Sequence, residues 1–571
     1  MEDILEGLGI GEEQVREFTR VLQKYNAGLQ PTKRRIISSE NWWKLRNSLE
    51  EGGGDGGFQS KSGWLHNVIV SKHADAMDSF PQPVILPREE SDSAEAEKLS
   101  AIIPCILEQN DFEKTYSDAM WQKCKSGTAA YKILWDSGRL GGLGDIAIQR
   151  VNLLNLYWEP GVDEIQKSRY FFHTELQDRD ILQQQYPQLR DRLKGQGFLS
   201  SKFLYDDTVD TQDKVTVVEV YYHKYVEGRL TLQYCKYAGE DVLFATENVP
   251  ELAVRGLYDH GKYPFVFDPL FPIEGSPCGY GYVDVCRNPQ TEIDLLKTSF
   301  VKNGQVGSVP RFFSRQDGAI NEEEFLDLSK PIVHVNGNLG EDSVRQIPFN
   351  ALNDVYVGLL DRTIQELRQT SGNTETSTGN IQSGVTAASA IAALQEASGK
   401  GSRDASRASY RCFQNIVGLC IELIRQFYDL PRQFRILGPM GREKFVSYSN
   451  QGLLPVTQGA EFGTELGFRL PVFDIRVSAQ KRNLFATVSQ NELALQLFKL
   501  GMFDPAKAEA AVMCLGLMEF EGKDGIMQAL ARKGGEQKQL SGYMELAAML
   551  ARKAAPHMEE GIRREMGKMH I

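Results

Sequence analysis

Residues 351–428 constrain this chain most, because two helix-forming segments flank a polar loop that lacks any cation. The loop, 370–384, is rich in Gly, Ser, Thr and Asn and contains no Lys or Arg. The segment after it is dominated by Ala, a strong helix former, and Gly and Ser at 398–402 predict a kink in it. The segment before it has apolar residues at the spacing of one helix face: Leu352, Val355, Leu359, Ile364 and Leu367.

The composition indicates a folded protein of several domains. The chain has 571 residues, 41% of them hydrophobic and 25% charged, which corresponds to roughly three to four domain-sized units. Lys and Arg total 64 against 76 Asp and Glu, so the net charge is −12. Duplex DNA presents a negative charge about every 1.7 Å along its axis, so an acidic chain is not expected to bind it tightly. Either DNA is not the partner, or DNA passes the protein without being bound tightly. Taken alone, the acidic charge is better explained by solubility.

The cysteines and the hydropathy pattern predict a reducing compartment and no membrane span. None of the eight cysteines forms a Cys-x-x-Cys pair, and no His stands at a ligand spacing from them, so no metal site is expected. The N-terminal residues are acidic and lack an apolar signal core. No apolar run reaches 18 residues, the length that a membrane-spanning helix needs.

The elements before the long helices indicate a mixed α and β domain. Helices are predicted over 11–24, 32–49 and 62–80, and further helices from 93 lead into a strand that ends at Trp135. From 130 to 271 the pattern is mainly β. Within it, a polar helical insertion spans 181–202, and a hairpin turn is expected at Glu227-Gly228.

The second half of the chain also contains both predicted helices and predicted strands. Asn288 is predicted to cap a helix with Pro289 in its first turn. A compact mixed region follows over 304–348, and strands return between 431 and 478. From 483 onward the predicted elements are helices: 483–499, 504–518, 523–532 and 536–553.

No motif in the chain indicates catalysis. The segment closest to a nucleotide-phosphate loop, Gly256–Tyr263, has Tyr where the metal-binding hydroxyl belongs, and a strand follows it instead of a helix. His-Glu-x-x-His and Gly-x-Ser-x-Gly are absent, and the eight His are scattered. We therefore predict a protein that is not an enzyme, with no catalytic residues and no cofactor.

Several short sequence segments, taken in their order along the chain, resemble those of the portal proteins of tailed bacteriophages. One is Gly279-x-Gly281 followed by Gln290-Thr-Glu-Ile-Asp-Leu295, in which Asp294 stands where Asn is usual. Earlier matches are the strand that starts at Gly127 and Asn155-Leu-Tyr-Trp-Glu-Pro-Gly161. The remaining words lie in the long helix and in the strand after it: Gly384-Val-Thr-Ala-Ala-Ser-Ala-Ile-Ala-Ala-Leu-Gln-Glu-Ala397, Ser402-Arg-Asp404, Tyr410-Arg411, Leu423-Ile-Arg-Gln-Phe-Tyr428 and Phe473-Asp-Ile-Arg-Val477.

The resemblance implies the α+β portal fold, assembled as a ring. Two helices of about twenty residues span roughly 30 Å and form a channel wall only when many copies stand side by side. The family implies twelve copies. Its parts map onto this chain as 1–275 wing (β-rich from 130), 276–303 first stem helix, 304–348 clip, 349–371 second stem helix, 372–384 tunnel loop, 385–428 long kinked helix, 429–482 returning wing strands and 483–571 helical crown and C-terminal tail.

The resemblance also assigns residues to roles. Lys297 and Lys302 of the first stem helix face either the channel or a neighbour's carboxylates, and intersubunit pairing is favoured. In the clip, Arg311, Phe312, Phe313 and Arg315 meet the terminase and later the head-completion proteins, unless Phe312 or Phe313 belongs to the clip core. The resemblance assigns to the DNA-channel tunnel loop Ser371, Gly372, Asn373, Thr374, Glu375, Thr376, Ser377, Thr378, Gly379, Asn380, Gln382 and Ser383.

The implied function is a structural channel at one capsid vertex of the virion, through which double-stranded DNA enters and leaves without sequence-specific binding. The implied partners are further copies of the chain, the major capsid and scaffold proteins, the large terminase and head-completion or adaptor proteins, with assembly in the host cytoplasm. One alternative is an oligomeric adaptor or scaffold that never contacts DNA. Another is an enzyme with an unrecognised site in the β-rich wing.

Overall fold

The computed structural model describes residues 9–46, 59–189, 213–308, 352–373, 400–437, 443–457, 468–481, 495–501 and 508–516, with shorter stretches between 192 and 543. The chain divides into two compact units, Met1–Gln480 and Lys481–Ile571. Helices and strands are mixed, in agreement with the predicted α+β class.

The helices with described bounds are α1 Glu12–Trp43, α2 Trp64–Asp78, α3 Ser93–Gln109, α4 Phe112–Ser126, α5 Arg179–Gln185, α6 Pro250–Arg255, α7 Tyr282–Ser308, α8 Glu322–Leu326, α9 Asp354–Ser371, α10 Lys400–Phe427 and α11 Ala508–Gly516. The strands are β1 Ser79–Pro87, β2 Thr128–Asp136, β3 Asp145–Val151, β4 Leu156–Tyr157, β5 Tyr170–Asp178, β6 Lys214–Val226, β7 Arg229–Ala238, β8 Asp241–Ala245, β9 Phe265–Pro269, β10 Phe271–Ile273, β11 Ser276–Tyr280, β12 Phe312–Ser314, β13 Val344–Gln346, β14 Arg432–Leu437, β15 Glu443–Tyr448, β16 Val456–Thr457, β17 Ala460–Glu461, β18 Thr464–Glu465, β19 Phe468–Arg469 and β20 Phe473–Lys481.

Two antiparallel sheets and the helices around them form the main core of the first unit. One sheet has the order β4-β5-β6-β7-β8 and the other β3-β2-β9. Phe171 of β5 and Phe265 of β9 pack against each other between the sheets, with tilted rings whose centroids are 4.5 Å apart. The long helix α10 joins this core through Phe413, Ile416 and Ile424, which are buried. The strands after α10 return to the first unit, since β20 pairs with β1.

The N-terminal region is one helix, α1, and the prediction of two helices over 11–24 and 32–49 was wrong. Pro31 lies inside α1. Proline removes one intrahelical hydrogen bond and usually bends or breaks a helix. Here the buried stripe continues across it at helical spacing, so tertiary packing outweighs the local preference. The stripe consists of Val15, Phe18, Leu22, Tyr25, Leu29 and Ile36.

The helix after β11 begins at Tyr282, so the prediction that Asn288 caps it was also wrong. The side chain of Asp284 accepts a hydrogen bond from the Gly281 backbone N–H at 3.0 Å, which closes the first turn. Tyr282 and Cys286 of this turn are buried in an apolar cluster. Burial therefore sets the start of α7, and Pro289 is held inside the helix.

Two glycine-containing segments that carry the family resemblance, one at Gly127 and the other at Gly279–Gly281, contact each other. Gly127 has φ +87°, and a Cβ atom there would lie 2.2 Å from the Tyr280 carbonyl carbon. A Cβ on Gly281 would lie 2.4 Å from the Lys125 carbonyl oxygen. Only glycine permits this backbone approach. The contact joins the end of α4 and the start of β2 to the turn that precedes α7.

Most other elements of the first unit match the sequence. The predicted strands appear as β2, β3 and β5–β8 with small shifts at their ends. Glu227 and Gly228 both have positive φ, +50° and +81°, which is the geometry of the predicted two-residue hairpin turn. The helical prediction over 181–202 is met only by α5 and a short turn, because 193–202 lies outside the described residues.

The second unit has its own small apolar core. Leu497, Ala511, Leu515 and Leu530 are buried together. The helix α11 falls within the predicted helix 504–518, and most of the other helices predicted after 483 lie outside the described residues.

Lys33 gives the first unit a testable pH dependence. The side chain is buried in α1 with Nζ 3.7 Å from the Tyr157 ring centroid. Burial lowers the pKa of Lys33 to about 7. An unfolded lysine titrates near 10.4, so the unfolded state binds more protons in between, and the free energy of unfolding rises from pH 7 toward pH 10.

Lys33→Met should remove this rise. Between pH 7 and pH 9 the free energy of unfolding of the wild type should rise by about 1–2 kcal/mol more than that of the variant. Urea unfolding of both proteins at the two pH values measures the difference. Parallel pH profiles would show that Lys33 keeps an ordinary pKa in the folded protein.

Candidate DNA-channel segment

The helices predicted as the stem, α7 and α9, contact each other and share an apolar cluster with α2. From α9, Leu367 enters this cluster, and Ile293 enters it from α7. From α2 come Leu65, Val68 and Ile69. One face of the stem pair is therefore held by α2 of the predicted wing.

Asp294, where the resemblance departs from the family, joins α7 to the start of α2. Its Oδ1 accepts hydrogen bonds from the Ser62 backbone N–H at 2.8 Å, the Ser62 hydroxyl at 2.5 Å and the Gln290 amide at 3.0 Å. All three partners are donors. A carboxylate, which only accepts hydrogen bonds, suits this position, so the departure has a local structural reason.

The second stem helix ends where the predicted tunnel loop begins. Ser371 is the last residue of α9, and Gly372 follows in the left-handed conformation with φ +70°, a common helix C-terminus. Asn373 is only 6% exposed, and neither its amide oxygen nor its amide nitrogen has a partner among the described residues. The chain thus leaves the stem at a buried base, and Thr374–Ser383 lies outside the described residues.

Lys72 of α2 lies at this base and also contacts the helix that follows the loop. A Cβ atom on Gly372 would stand 3.6 Å from the Lys72 ammonium. The same ammonium donates to the Ser402 hydroxyl of α10 at 3.1 Å. The Ser402 hydroxyl in turn donates to Asp75 at 2.7 Å. Gly372 and Ser402, which lie on either side of 374–399 in the sequence, are therefore both beside one lysine.

A second buried lysine holds α10 farther along the same helix face. Lys123 of α4 and Asp268 of β9 are 2% and 1% exposed, and Nζ and Oδ1 are 2.7 Å apart. Lys123 also donates to the Ser409 hydroxyl of α10 at 2.7 Å, and this hydroxyl donates to the other Asp268 oxygen at 2.9 Å. Ser402 and Ser409 are seven residues apart, which places both on one face of α10.

The space between the two lysine sites is small. A cavity of about 30 Å³ is lined by Lys72, Lys123, Ser402 and Ser409 among others. This is the share of liquid volume taken by about one water molecule, so the cavity is too small for a nucleotide. The arrangement holds helices in place and has no room for a substrate.

The first half of α9 exposes apolar side chains. Val355 is 71% exposed and Leu359 is 48% exposed, although their helical stripe continues into buried Leu367. Tyr356 and Val357 are also exposed. A contiguous exposed apolar surface marks an interaction site in a soluble protein. The predicted stripe is therefore only half covered within one chain.

The other predicted site residues are only partly described. Lys297 and Lys302 are exposed on α7 and make no ion pair with the described residues. In the predicted clip, β12 and β13 pair as antiparallel strands, with Phe312 in backbone register with Gln346 and Phe313 with Arg345. Arg311 and Arg315 lie outside the described residues. The structure brings Ser371–Asn373 together with Lys72 but does not place the loop, the stem lysines and the clip at one site.

A charged cluster in the wing resembles a catalytic site in its residue types. Glu219 of β6 accepts hydrogen bonds from Lys132 at 2.5 Å and from His173 at 2.9 Å. Burial disfavours the charge on Glu219, but Lys132 and His173 outweigh it and hold its pKa well below the usual range. Such a carboxylate is a poor proton acceptor at neutral pH. The cluster joins β2 of one sheet to β5 and β6 of the other, so it has a structural explanation.

Neither a metal-binding cluster nor a membrane-spanning helix occurs among the described residues. No group of three or more His, Cys, Asp or Glu among them is placed to hold a metal ion. Within the same residues no helix is both long and apolar enough to cross a membrane.

The sequence did not indicate Lys72, Lys123 or Asp268 as functional. A lysine in an amphipathic helix usually lies in solvent. The available signal was in α10, where Ser402 and Ser409 recur at helical spacing on the face that also carries buried Phe413 and Ile416. Polar residues on such a face require partners, but the spacing does not say which residues supply them.

Comparison with known proteins agrees with the resemblance. No curated protein matches the chain. The family described as phage P22-like portal protein matches residues 75–569, which is most of the sequence. The match includes α7, α9 and α10, whose packing is described above. The chain therefore belongs to the P22-like portal protein family of tailed bacteriophages, a family of structural capsid components that serve genome packaging.

Proposed function

We propose that copies of this chain form a ring at one capsid vertex, with double-stranded DNA passing through its centre during packaging and ejection. The observation that carries the proposal is the exposed apolar first half of α9. It stands on a helix pair whose other face is already covered by α2. A second copy, placed side by side with the first, covers this surface, and repetition of the contact closes a ring.

The loop after α9 is the proposed DNA-facing element. It starts after α9, and its residues 374–384 contain no cation. Hydroxyls, amides and backbone N–H groups contact phosphates without sequence preference. Without a lysine or arginine, such contacts bring little counterion release and remain weak. DNA then slides past the loop.

The proposed protein partners follow from family membership and from the clip. The β12–β13 pair and the segment around Arg311–Arg315 form the proposed contact for the large terminase, and for head-completion or adaptor proteins later. The outer parts of the ring contact major capsid and scaffold proteins. Assembly precedes incorporation at the vertex and takes place in the host cytoplasm. The twelve-fold number and the wing, stem, clip and crown assignments remain predictions from the resemblance.

Deletion of Thr374–Asn380 tests the channel. The deletion starts after Asn373, because Asn373 is buried at the loop base. Rings and capsids should still assemble, but heads filled with DNA should fall at least tenfold, measured by nuclease-protected DNA per particle. A control replaces the same residues by Gly and Ser at equal length, which removes Glu375 but keeps the loop long and free of cations, and it should retain most of the packaging.

The alternative is an adaptor or scaffold that never contacts DNA. Under that alternative the deletion leaves both packaging and DNA retention at the wild-type level. Full heads with normal retention in the deletion variant would therefore reject the loop as a DNA-facing element.

A further inference from the structure

Three helices of the proposed channel segment meet at Lys72. Its ammonium stands beside Gly372, where α9 ends, and donates to Ser402 near the start of α10. It also lies 5.9 Å from the ring centroid of Tyr282, the first residue of α7. The side chain is only 6% exposed. One residue of the wing helix α2 therefore lies beside the stem, the start of the loop and the helix α10.

The charge of Lys72 suits this position. The C-terminus of a helix carries a partial negative charge from its unpaired carbonyl groups, and a nearby cation stabilises it. At α9 that end is Ser371–Gly372. The second contact of Lys72, with the Ser402 hydroxyl, is extended by the hydrogen bond from Ser402 to Asp75. The ammonium therefore interacts with the helix end before the loop and with the hydroxyl after it.

Charge compensation for Asp75 does not explain why Lys72 is buried. Nζ lies 3.5 Å from Asp75 Oδ2, but the Asp75 side chain is 44% exposed, so water can solvate its charge without a buried lysine. An ion pair three residues apart on a helix forms equally well at the surface. Burying a lysine carries a desolvation penalty, and the contacts at Gly372 and Ser402 offset it.

We propose that Lys72 is a positioning residue that fixes the end of α9, where the tunnel loop begins, and Ser402 of α10 to the wing, so that the loop starts at a set place in the channel. The inference rests on the proposed function of the loop, but the anchoring itself is measurable without DNA. Lys72 acts by holding Gly372 and Ser402 and is not itself proposed to contact DNA.

Lys72→Met tests the anchoring, because it keeps the side-chain length and removes the charge. In assembled rings, hydrogen exchange at residues 371–373 and 400–406 should become at least tenfold faster, while exchange in β5, β6 and β7 stays unchanged. Lys114→Met is the matched control, since Lys114 is exposed on α4. It should leave both regions at the wild-type rate.

Ser402→Ala provides a milder second variant if Lys72→Met fails to fold. It removes one hydroxyl and should speed exchange at 400–406 about threefold. If Lys72 acts through Ser402, adding Ser402→Ala to Lys72→Met should cause little further acceleration there. Fully multiplicative effects of the two changes would contradict this coupling.

The outcomes separate the anchoring from the channel function. Unchanged exchange at 371–373 and 400–406 in Lys72→Met would overturn the anchoring, whatever the packaging result. Faster exchange together with a loss of DNA-filled heads supports both proposals. Faster exchange with normal packaging in both Lys72→Met and the Thr374–Asn380 deletion would support the anchoring and reject the DNA-facing role of the loop.

Discussion

Replacing Val355 and Leu359 together by lysine is expected to abolish ring assembly while leaving the folded monomer intact. Both side chains are exposed in the single chain, at 71% and 48%, so the change removes little packing within it. If the surface is a subunit contact, the lysines become buried there without a partner. Burial of an unpaired charge is unfavourable by about 2 kcal/mol or more.

The ring geometry amplifies this effect. A closed ring of identical copies contains one such contact per subunit, so the penalty recurs at every contact and the total grows with the number of subunits. Even about 2 kcal/mol at each contact lowers the equilibrium population of closed rings by many orders of magnitude. Assembly should therefore fail in an all-or-none manner.

Mass photometry and circular dichroism measure the two parts of this prediction. The double variant should give monomers with the wild-type spectrum. Gln365→Lys is the control, because it adds a lysine at an exposed polar position of α9 that lies off the apolar stripe. Rings that form from the double variant at wild-type concentration would remove this surface from the subunit contact.

Lys123→Met is expected to lower the free energy of unfolding of the first unit by about 3–5 kcal/mol. The reason is that Asp268 loses its ion-pair partner but stays buried. Asp268 is 1% exposed, and without Lys123 its charge stays buried with only the Ser409 hydroxyl against it. The contact between α4, β9 and α10 then weakens as a whole.

Urea unfolding followed by tryptophan fluorescence measures this loss. Lys114→Met should change the free energy of unfolding by less than about 0.5 kcal/mol, since exposed substitutions seldom do more. Combining Lys123→Met with Asp268→Leu should recover part of the loss, because the buried charge is gone. A loss below about 1 kcal/mol in Lys123→Met would contradict the importance of this pair.

The elements with strong local patterns were predictable from the sequence. The hairpin turn at Glu227-Gly228 follows from turn chemistry, and the stripe on α9 follows from helical spacing. The buried face of α10 was also indicated by apolar periodicity. The errors at Pro31 and Asn288 have a common cause, because tertiary burial overrode a local proline or cap signal in both places.

The contacts of the two buried lysines were not predictable, because each lysine and its partner are far apart in the sequence. Lys72 and Ser402 are separated by 330 positions, and Lys123 and Asp268 by 145. Amphipathic periodicity places a lysine on a helix face but does not say that another segment covers that face. Likewise, periodicity marked Val355 and Leu359 as apolar without distinguishing a core from a subunit contact. Only the folded chain shows that this half of the stripe is left uncovered.

Electron microscopy of the purified protein, with mass photometry on the same sample and with capsid and scaffold partners added where needed, tests the central claim most directly. The account predicts closed rings with a central hole wide enough for duplex DNA, at a mass near twelve times the 64.1 kDa chain. The exposed face of α9 should lie between neighbouring subunits. Monomers or dimers that persist with those partners present, or rings without a central hole, would contradict it.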